Sequence, residues 1–171
     1  MILARRFKLT IEATPPTQPG IKKKVQWVRE DEKPDLRVRT MGQPGADVML
    51  VSEQAKNKVS LFDSLEGRWY PVWFEIKNVE AWSLDAKFWS NGLLPAVMTG
   101  AYHQAVKRAP RGWKPIAVVG KNYMPPLAIW FSPIEDQLEA LKTWEAPMLV
   151  SNSWIVTPFD PYFTGLLSRK S

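Results

Sequence analysis

The strongest strand signal in the chain is the run WYPVWFEIK, residues 69–77. Alternate residues of a strand share a face, so Glu75 and Lys77 are expected to point one way and Phe74 and Ile76 the other. Burying an acid and a base at the end of an apolar strand is costly unless the two are paired or hold a metal ion. The run therefore predicts a strand with either a simple ion pair or a metal site at its polar end.

The segments around this strand predict a single α/β domain, with a mixed central sheet flanked by helices. No internal repeat, low-complexity tract or long linker divides residues 1–171. The polar segment 52–67 is expected to hold a helical turn, and the first 19 residues to hold short strand-like pieces. Strands are predicted at 36–40, 48–51, 115–119, 127–131 and 150–157, and helices at 21–32, 96–109 and 134–143.

Composition excludes several classes of site. The chain has 171 residues and 45% hydrophobic residues, enough for a buried core. It has no cysteine and one histidine, His103. Disulfides, thiolate zinc sites, iron–sulfur clusters and multi-histidine metal sites are therefore excluded. No apolar run approaches the length of a membrane span or of a secretory h-region, so we expect a cytoplasmic protein without a membrane partner.

The charge is unevenly distributed. Lys and Arg number 23 against 17 Asp and Glu, for a formal net charge of +6. Residues 1–40 and 102–122 are basic, whereas 41–101 and 123–171 are net acidic. Basic patches attract a polyanion, but an acidic centre repels it unless a cation lies between them. This pattern is common in metal-dependent nucleases; the alternative is that the net charge serves only solubility.

Asp47 favours the metal interpretation of the strand at 69–77. It stands directly before the short apolar run 48–51, and the polar segment between the two strands permits a hairpin-like return. Adjacent strands would bring Asp47 beside Glu75, and two carboxylates suit a hard cation such as Mg²⁺. The backbone carbonyl of Ile76 would complete the ligand set, and Lys77 would position or polarise a water near a phosphate. These groups are suited to phosphodiester hydrolysis.

A family resemblance rests on the order of these features. Along the chain come Asp47, the pair Glu75 and Lys77, a helix with Gln104, and a further apolar strand. In this order the chain resembles the PD-(D/E)XK nuclease superfamily, and within it small phage endonucleases that are Holliday junction resolvase-like. The resemblance is carried by the segments 39–48, 51–56, 74–78, Gln104-Ala105 and 115–131.

The resemblance implies a restriction-endonuclease-like core over 20–131 and a C-terminal extension, 132–171, of unknown role. It implies that Asp47 and Glu75 bind Mg²⁺ or Mn²⁺, that Lys77 assists the nucleophile, and that Gln104 contacts the site or the scissile phosphate. The implied activity is endonucleolytic cleavage of branched DNA in recombination, by a homodimer, in the host cytoplasm if the chain is phage-encoded. The residues expected to contact DNA are Lys22, Lys23, Lys24, Arg37, Arg39, Lys107, Arg108, Arg111 and Lys121.

Three other interpretations stay open at the level of sequence. The chain is compatible with another nuclease of the same superfamily, either an exonuclease or a restriction-like endonuclease. It is also compatible with a non-catalytic nucleic-acid-binding protein, in which exposed tryptophans stack on bases; Trp82, Trp89 and Trp113 are the candidates. A third possibility is an interaction protein with a degenerate nuclease fold.

Overall fold

The structure, a computed structural model, describes residues 2–13, 34–38, 48–63, 65–80, 82, 93–132, 149–151 and 153–167. Within these ranges the chain forms a mixed open sheet with a few helices, which confirms the predicted α/β class. The helices are α1 (Ile2–Phe7), α2 (Glu53–Lys58), α3 (Ala96–Arg108) and α4 (Thr164–Leu166), the last preceded by a π-helical segment (Phe159–Phe163).

Nine strands are seen in the described part of the chain. They are β1 (Ile11–Ala13), β2 (Leu36–Val38), β3 (Val48–Leu50), β4 (Ser60–Asp63), β5 (Arg68–Asn78), β6 (Lys114–Lys121), β7 (Met124–Phe131), β8 (Leu149–Ser151) and β9 (Trp154–Pro158).

The long strand β5 lies in the middle of the sheet. The order across the sheet is β1-β2-β3-β5-β6-β7-β9-β8, and β4 pairs with the first half of β5. β5 is antiparallel to β3, with Phe74 opposite Val48, and parallel to β6, with Glu75 opposite Ala117. A parallel pair needs a crossover, and α3 lies in the segment that connects β5 to β6.

Both faces of β5 are covered. On one face Phe74 packs in a cluster that includes Ile116 and Phe163. On the other face the small residues Ala101 and Ala105 of α3 are fully or almost fully buried. Small side chains allow a helix to lie close to a sheet, so α3 comes near the face that carries Glu75 and Lys77.

The predicted strands at 36–40, 48–51, 69–77, 115–119 and 127–131 and the helix at 96–109 are confirmed, with small differences in their ends. The predicted helices at 21–32 and 134–143 lie outside the described residues. None of the helices in the described ranges is long and apolar enough to cross a membrane.

One local prediction is wrong and two are incomplete. Residues 2–7 form a helix rather than strand-like pieces, because Leu3 and Ala4 are buried together on one helical side. The helical turn predicted within 52–67 is confirmed as α2, but the segment also holds β4, since Gly67, at φ +62°, turns the chain back onto β5. The expected strand at 150–157 is two antiparallel strands, β8 and β9, separated at Ser153, where φ is +69°.

Candidate active site

Glu75 lies at the centre of the candidate site. Its side chain is 1% exposed, although it is an acid on a strand of mostly apolar residues. Lys77, two residues later on the same face, is 36% exposed, and its Nζ lies 3.5 Å from Glu75 Oε1. The ion pair that the sequence allows is therefore present, with the acid buried and the base reaching toward solvent.

Arg108 is a second partner of Glu75. Its Nη1 donates to Glu75 Oε1 at 3.0 Å and to Oε2 at 3.2 Å, and its side chain is 39% exposed. Sequence reasoning assigned Arg108 only to DNA contact. The signal for its inward position is the spacing on α3: Met98, Ala101 and Ala105 are buried, and Arg108 continues this side of the helix by one more turn.

The charges at the site are unbalanced among the described residues. One buried carboxylate faces two cations, Lys77 and Arg108. Burying a carboxylate is costly unless it is paired, and these two cations supply the pairing for Glu75. Arg108 also stands in the last turn of α3, where the partial negative charge of the helix terminus favours a cation.

Trp73 lies on the same face of β5, two residues before Glu75. It is 7% exposed and packs with Ala105 and edge-on against Trp113, with ring centroids 6.1 Å apart. Its indole Nε1 is buried and has no hydrogen-bond partner in the described part of the chain. An indole N–H is a donor only, so this buried group is an unsatisfied hydrogen-bond donor among the described residues. This group was not predicted from the sequence.

The other predicted site residues have different outcomes. Asp47 lies outside the described residues; its covalent neighbour Val48 pairs with Phe74, directly before Glu75, so β3 and β5 are adjacent as predicted. The Ile76 side chain is 42% exposed, and the role of its carbonyl stays a prediction. Gln104 is half-buried on α3, one turn before Arg108, and makes no hydrogen bond to Glu75.

The predicted DNA-contacting residues lie in several places. Lys107 and Arg111 are exposed next to Arg108, whereas Lys121 is at the far end of β6, where its Nζ donates to the Trp82 carbonyl at 3.1 Å. Arg37 lies on β2. Lys22, Lys23, Lys24 and Arg39 are outside the described residues.

Neither of the two candidate stacking tryptophans among the described residues is fully exposed. Trp82 is 6% exposed because it packs with Leu94 and Met98 in the core, so it is not a free stacking surface. Trp113 is half-buried against Trp73, and Trp89 lies outside the described residues. His103 is exposed and contacts the ring of Trp154 at 6.3 Å between centroids.

Two other buried carboxylates have mainly fixed donors. Asp63 accepts from the backbone N–H groups of Leu65 and Glu66, each at 3.1 Å, and from Lys114. Burial alone raises the pKa of Asp63, but these donors outweigh it and lower the pKa below its ordinary value. Asp35 accepts from the backbone N–H of Thr10, at 2.9 Å, and from two hydroxyls, and its pKa is lowered in the same way.

Among the described residues, the site offers a divalent cation one carboxylate, Glu75, which is already paired with two cations. Carboxylate oxygens are the ligands that Mg²⁺ and Mn²⁺ take in proteins, and Glu75 accepts hydrogen bonds only from a side-chain cation among the described residues. These residues contain no group of three or more His, Cys, Asp or Glu that would hold a metal. The second carboxylate of the predicted metal site, Asp47, lies outside the described residues, so its place beside Glu75 stays a prediction.

Comparison of the chain with family models, with curated proteins and with solved structures finds no match.

Proposed function

We propose that this protein is a Mg²⁺- or Mn²⁺-dependent endonuclease that hydrolyses DNA phosphodiesters, with branched DNA such as a four-way junction as its substrate. The observation that carries the proposal is Glu75. An acid that is 1% exposed on the central strand, with a lysine two residues later on the same face, is costly for stability. Buried charged groups are paired or hold metals, so an acid kept at this cost is a candidate for chemistry.

The order of elements supports the same proposal. The chain runs from β3, which begins one residue after Asp47, to β5 with Glu75 and Lys77, then to α3 with Gln104, and then to the apolar strand β6. This is the order on which the resemblance to PD-(D/E)XK nucleases rests. The adjacent antiparallel pairing of β3 and β5 is the arrangement that a site shared by Asp47 and Glu75 requires.

Each residue has a chemical task in this proposal. Asp47 and Glu75 would hold the cation, with the Ile76 carbonyl as a further oxygen. When bound, the cation would neutralise charge on the scissile phosphate and on the leaving oxygen. Lys77, at the rim of the site, would orient the attacking water and hold its developing charge. Gln104 would contact the phosphate from α3.

The substrate and the oligomer belong to the proposal as well. Lys107 and Arg111 are exposed beside Arg108 and would contact the DNA backbone, which sets position rather than sequence preference. Symmetric cutting of a four-way junction needs two active sites, so the proposal includes a homodimer.

A second candidate function is nucleic-acid binding without catalysis. Two observations on the described residues favour it: one carboxylate faces two cations, and the buried Trp73 Nε1 has no hydrogen-bond acceptor among them. In this case Glu75 would only hold Lys77 and Arg108 in place for a phosphate.

The test is cleavage of a labelled synthetic four-way junction, with matched duplex and single strand, in Mg²⁺, Mn²⁺ or EDTA. Wild type, Glu75→Gln and Asp47→Asn are compared with Glu53→Gln, a control that removes a glutamate whose side chain is 80% exposed on α2. We expect paired, metal-dependent nicks in the junction for wild type and the control. The two site variants should cut no more than the EDTA background.

The other outcomes separate the alternatives. Equal cutting of all three substrates would keep the nuclease and reject junction selectivity. Junction binding on a gel without cutting in either metal would reject the nuclease and leave the binding protein.

A further inference from the structure

We infer that the aromatic cluster of Tyr102, His103, Phe131 and Trp154 is a stacking surface for the unpaired bases of a single-stranded nucleic acid. The inference rests on the proposed function for the class of ligand, a nucleic acid, and it adds which part of that ligand this surface binds. It uses neither Glu75 nor a metal ion. It starts from four rings that meet where the end of β7 and the start of β9 lie beside α3.

The rings of the aromatic cluster are held by contacts from the sheet and from the helix. Phe131 and Trp154 are register partners on β7 and β9, and their ring centroids are 5.3 Å apart. From α3, the ring of Tyr102 lies 5.1 Å from the Trp154 ring, and the ring of His103 lies 6.3 Å from it. Trp154 is therefore the centre of the cluster, with a neighbour on each side.

Three of the four rings reach the surface. Phe131 is 50% exposed, His103 is exposed and Trp154 is half-buried, while Tyr102 packs against the core cluster that contains Met98. Exposed aromatic faces are the groups on which proteins stack unpaired bases. Rings that are already in place lose little conformational entropy when a base binds. The cluster is therefore suited to stacking without a rearrangement.

The charge beside the aromatic cluster indicates the class of ligand. α3 carries no acid along its length, and residues 102–122 as a whole contain none. Lys107 is exposed one helical turn after His103, and Arg111 is exposed soon after it. A nucleic-acid strand along this side of α3 would place phosphates near these cations and bases near the rings.

A second Phe–Trp pair in the molecule has different surroundings. Phe62 and Trp69 are also register partners with ring centroids 5.3 Å apart, and Phe62 is 47% exposed. Beside this pair, Arg68 forms an ion pair with Glu66 at 2.7 Å, so its charge is already neutralised. A polyanion is therefore favoured at the aromatic cluster over the hairpin of β4 and β5, and Phe62 is a matched control.

The test is equilibrium binding of labelled oligonucleotides in EDTA, which excludes any contribution from metal-dependent cleavage. The ligands are a thymidine single strand, an abasic strand of the same length, and a duplex. The abasic strand carries the same phosphates without bases. The variants are Phe131→Leu, Phe131→Tyr and His103→Ala, with Phe62→Leu as the control.

We expect wild type, Phe131→Tyr and Phe62→Leu to bind the thymidine strand alike, and to bind the abasic strand and the duplex more weakly. Phe131→Leu should bind the thymidine strand roughly tenfold more weakly than wild type, because one stacking face is lost. His103→Ala should lose several-fold. Affinity for the abasic strand should be the same for all variants, since the cations are unchanged.

Unchanged binding of the thymidine strand by Phe131→Leu would overturn the inference. If circular dichroism shows that this variant does not fold, His103→Ala, at an exposed position, decides in the same way. An equal loss on the thymidine and abasic strands would show a phosphate contact in place of stacking and would also overturn it. Loss of self-association in Phe131→Leu with DNA binding unchanged, measured by sedimentation, would assign the surface to a second copy of the chain.

The outcomes also separate this inference from the proposed function. Base-dependent binding that requires Phe131, without cutting in Mg²⁺ or Mn²⁺, would support the stacking surface while the endonuclease fails. Cutting that is retained, with no preference for the thymidine strand over the abasic strand, would keep the endonuclease and overturn the stacking surface. If wild type binds none of the three ligands, both fail.

Discussion

The two halves of β5 place a carboxylate in different surroundings. Beside the first half, which pairs with β4, Asp63 accepts from two backbone N–H groups and from Lys114. In the second half, which lies between β3 and β6, Glu75 is partnered by the side chains of Lys77 and Arg108. Both acids are buried, at 6% and 1% exposure, so burial does not distinguish them.

The difference lies in what can move. A backbone N–H is fixed by the turn that it closes, so Asp63 is part of the construction of the hairpin. A long cationic side chain that is more than a third exposed can turn away from its partner without unfolding the chain. Glu75 could therefore change its ion-pair partner. The carboxylate beside the first half therefore has mainly fixed partners, and the carboxylate in the second half has partners that can move.

The largest expected effect comes from packing in the second half. Ala105→Leu adds a bulky side chain where Ala105 is fully buried against Trp73 under α3. We expect the free energy of unfolding to fall by about 2–3 kcal/mol, because the helix must move away from the sheet. Urea denaturation measures it, with Val106→Leu as control, since Val106 is 49% exposed on the same helix. A loss of unfolding free energy no larger than that of Val106→Leu would contradict this prediction.

A smaller loss is expected when the two acids are removed in turn. Asp63→Ala leaves the Leu65 and Glu66 N–H groups and Lys114 without their acceptor, and should cost about 2 kcal/mol. Glu75→Gln should cost less than about 1 kcal/mol, because Arg108 and Lys77 can both turn to solvent. Urea midpoints of the two variants give the comparison. A larger loss for Glu75→Gln would show that its partners are as fixed as those of Asp63.

The sequence predicts what depends on neighbours along the chain. The alternation in 69–77 correctly places Glu75 and Lys77 on one face of a strand, and the pattern at 96–109 correctly gives α3. The pairs Arg108–Glu75 and Lys114–Asp63 join residues 33 and 51 positions apart. They depend on where α3 crosses the sheet and on the register of β5 with β6, which no local pattern contains. The sequence likewise does not decide between a core and a stacking position for Trp82, since the core neighbours that bury it, such as Leu94 and Met98, are distant along the chain.

The pH dependence of stability should include a contribution from Asp63, the buried acid beside the first half of β5. The pKa of Asp63 is raised by burial but lowered overall by Lys114 and the turn N–H groups, while in the unfolded chain it returns to its ordinary value of 3.8. The unfolded state therefore binds more protons than the folded state near that pH. Stability from Asp63 is complete above about pH 5 and is lost as the pH falls through 3.8 toward the folded pKa. Asp63→Asn should show a smaller drop in urea midpoint from pH 5 to pH 3 than wild type; an equal drop would contradict this.

The smallest expected effect tests whether the two halves are independent. Phe62 and Trp69 are register partners on β4 and β5, with ring centroids 5.3 Å apart and exposures of 47% and 37%. A double-mutant cycle with Phe62→Ser and Trp69→Ser should give a coupling of about 0.5 kcal/mol, since the pair is partly solvated. The Mn²⁺ affinity of the double variant should equal that of wild type, because no ligand of the proposed site lies on β4 or on the first half of β5. A changed affinity would mean that the first half of β5 positions Glu75. The two halves of the strand would then not be independent.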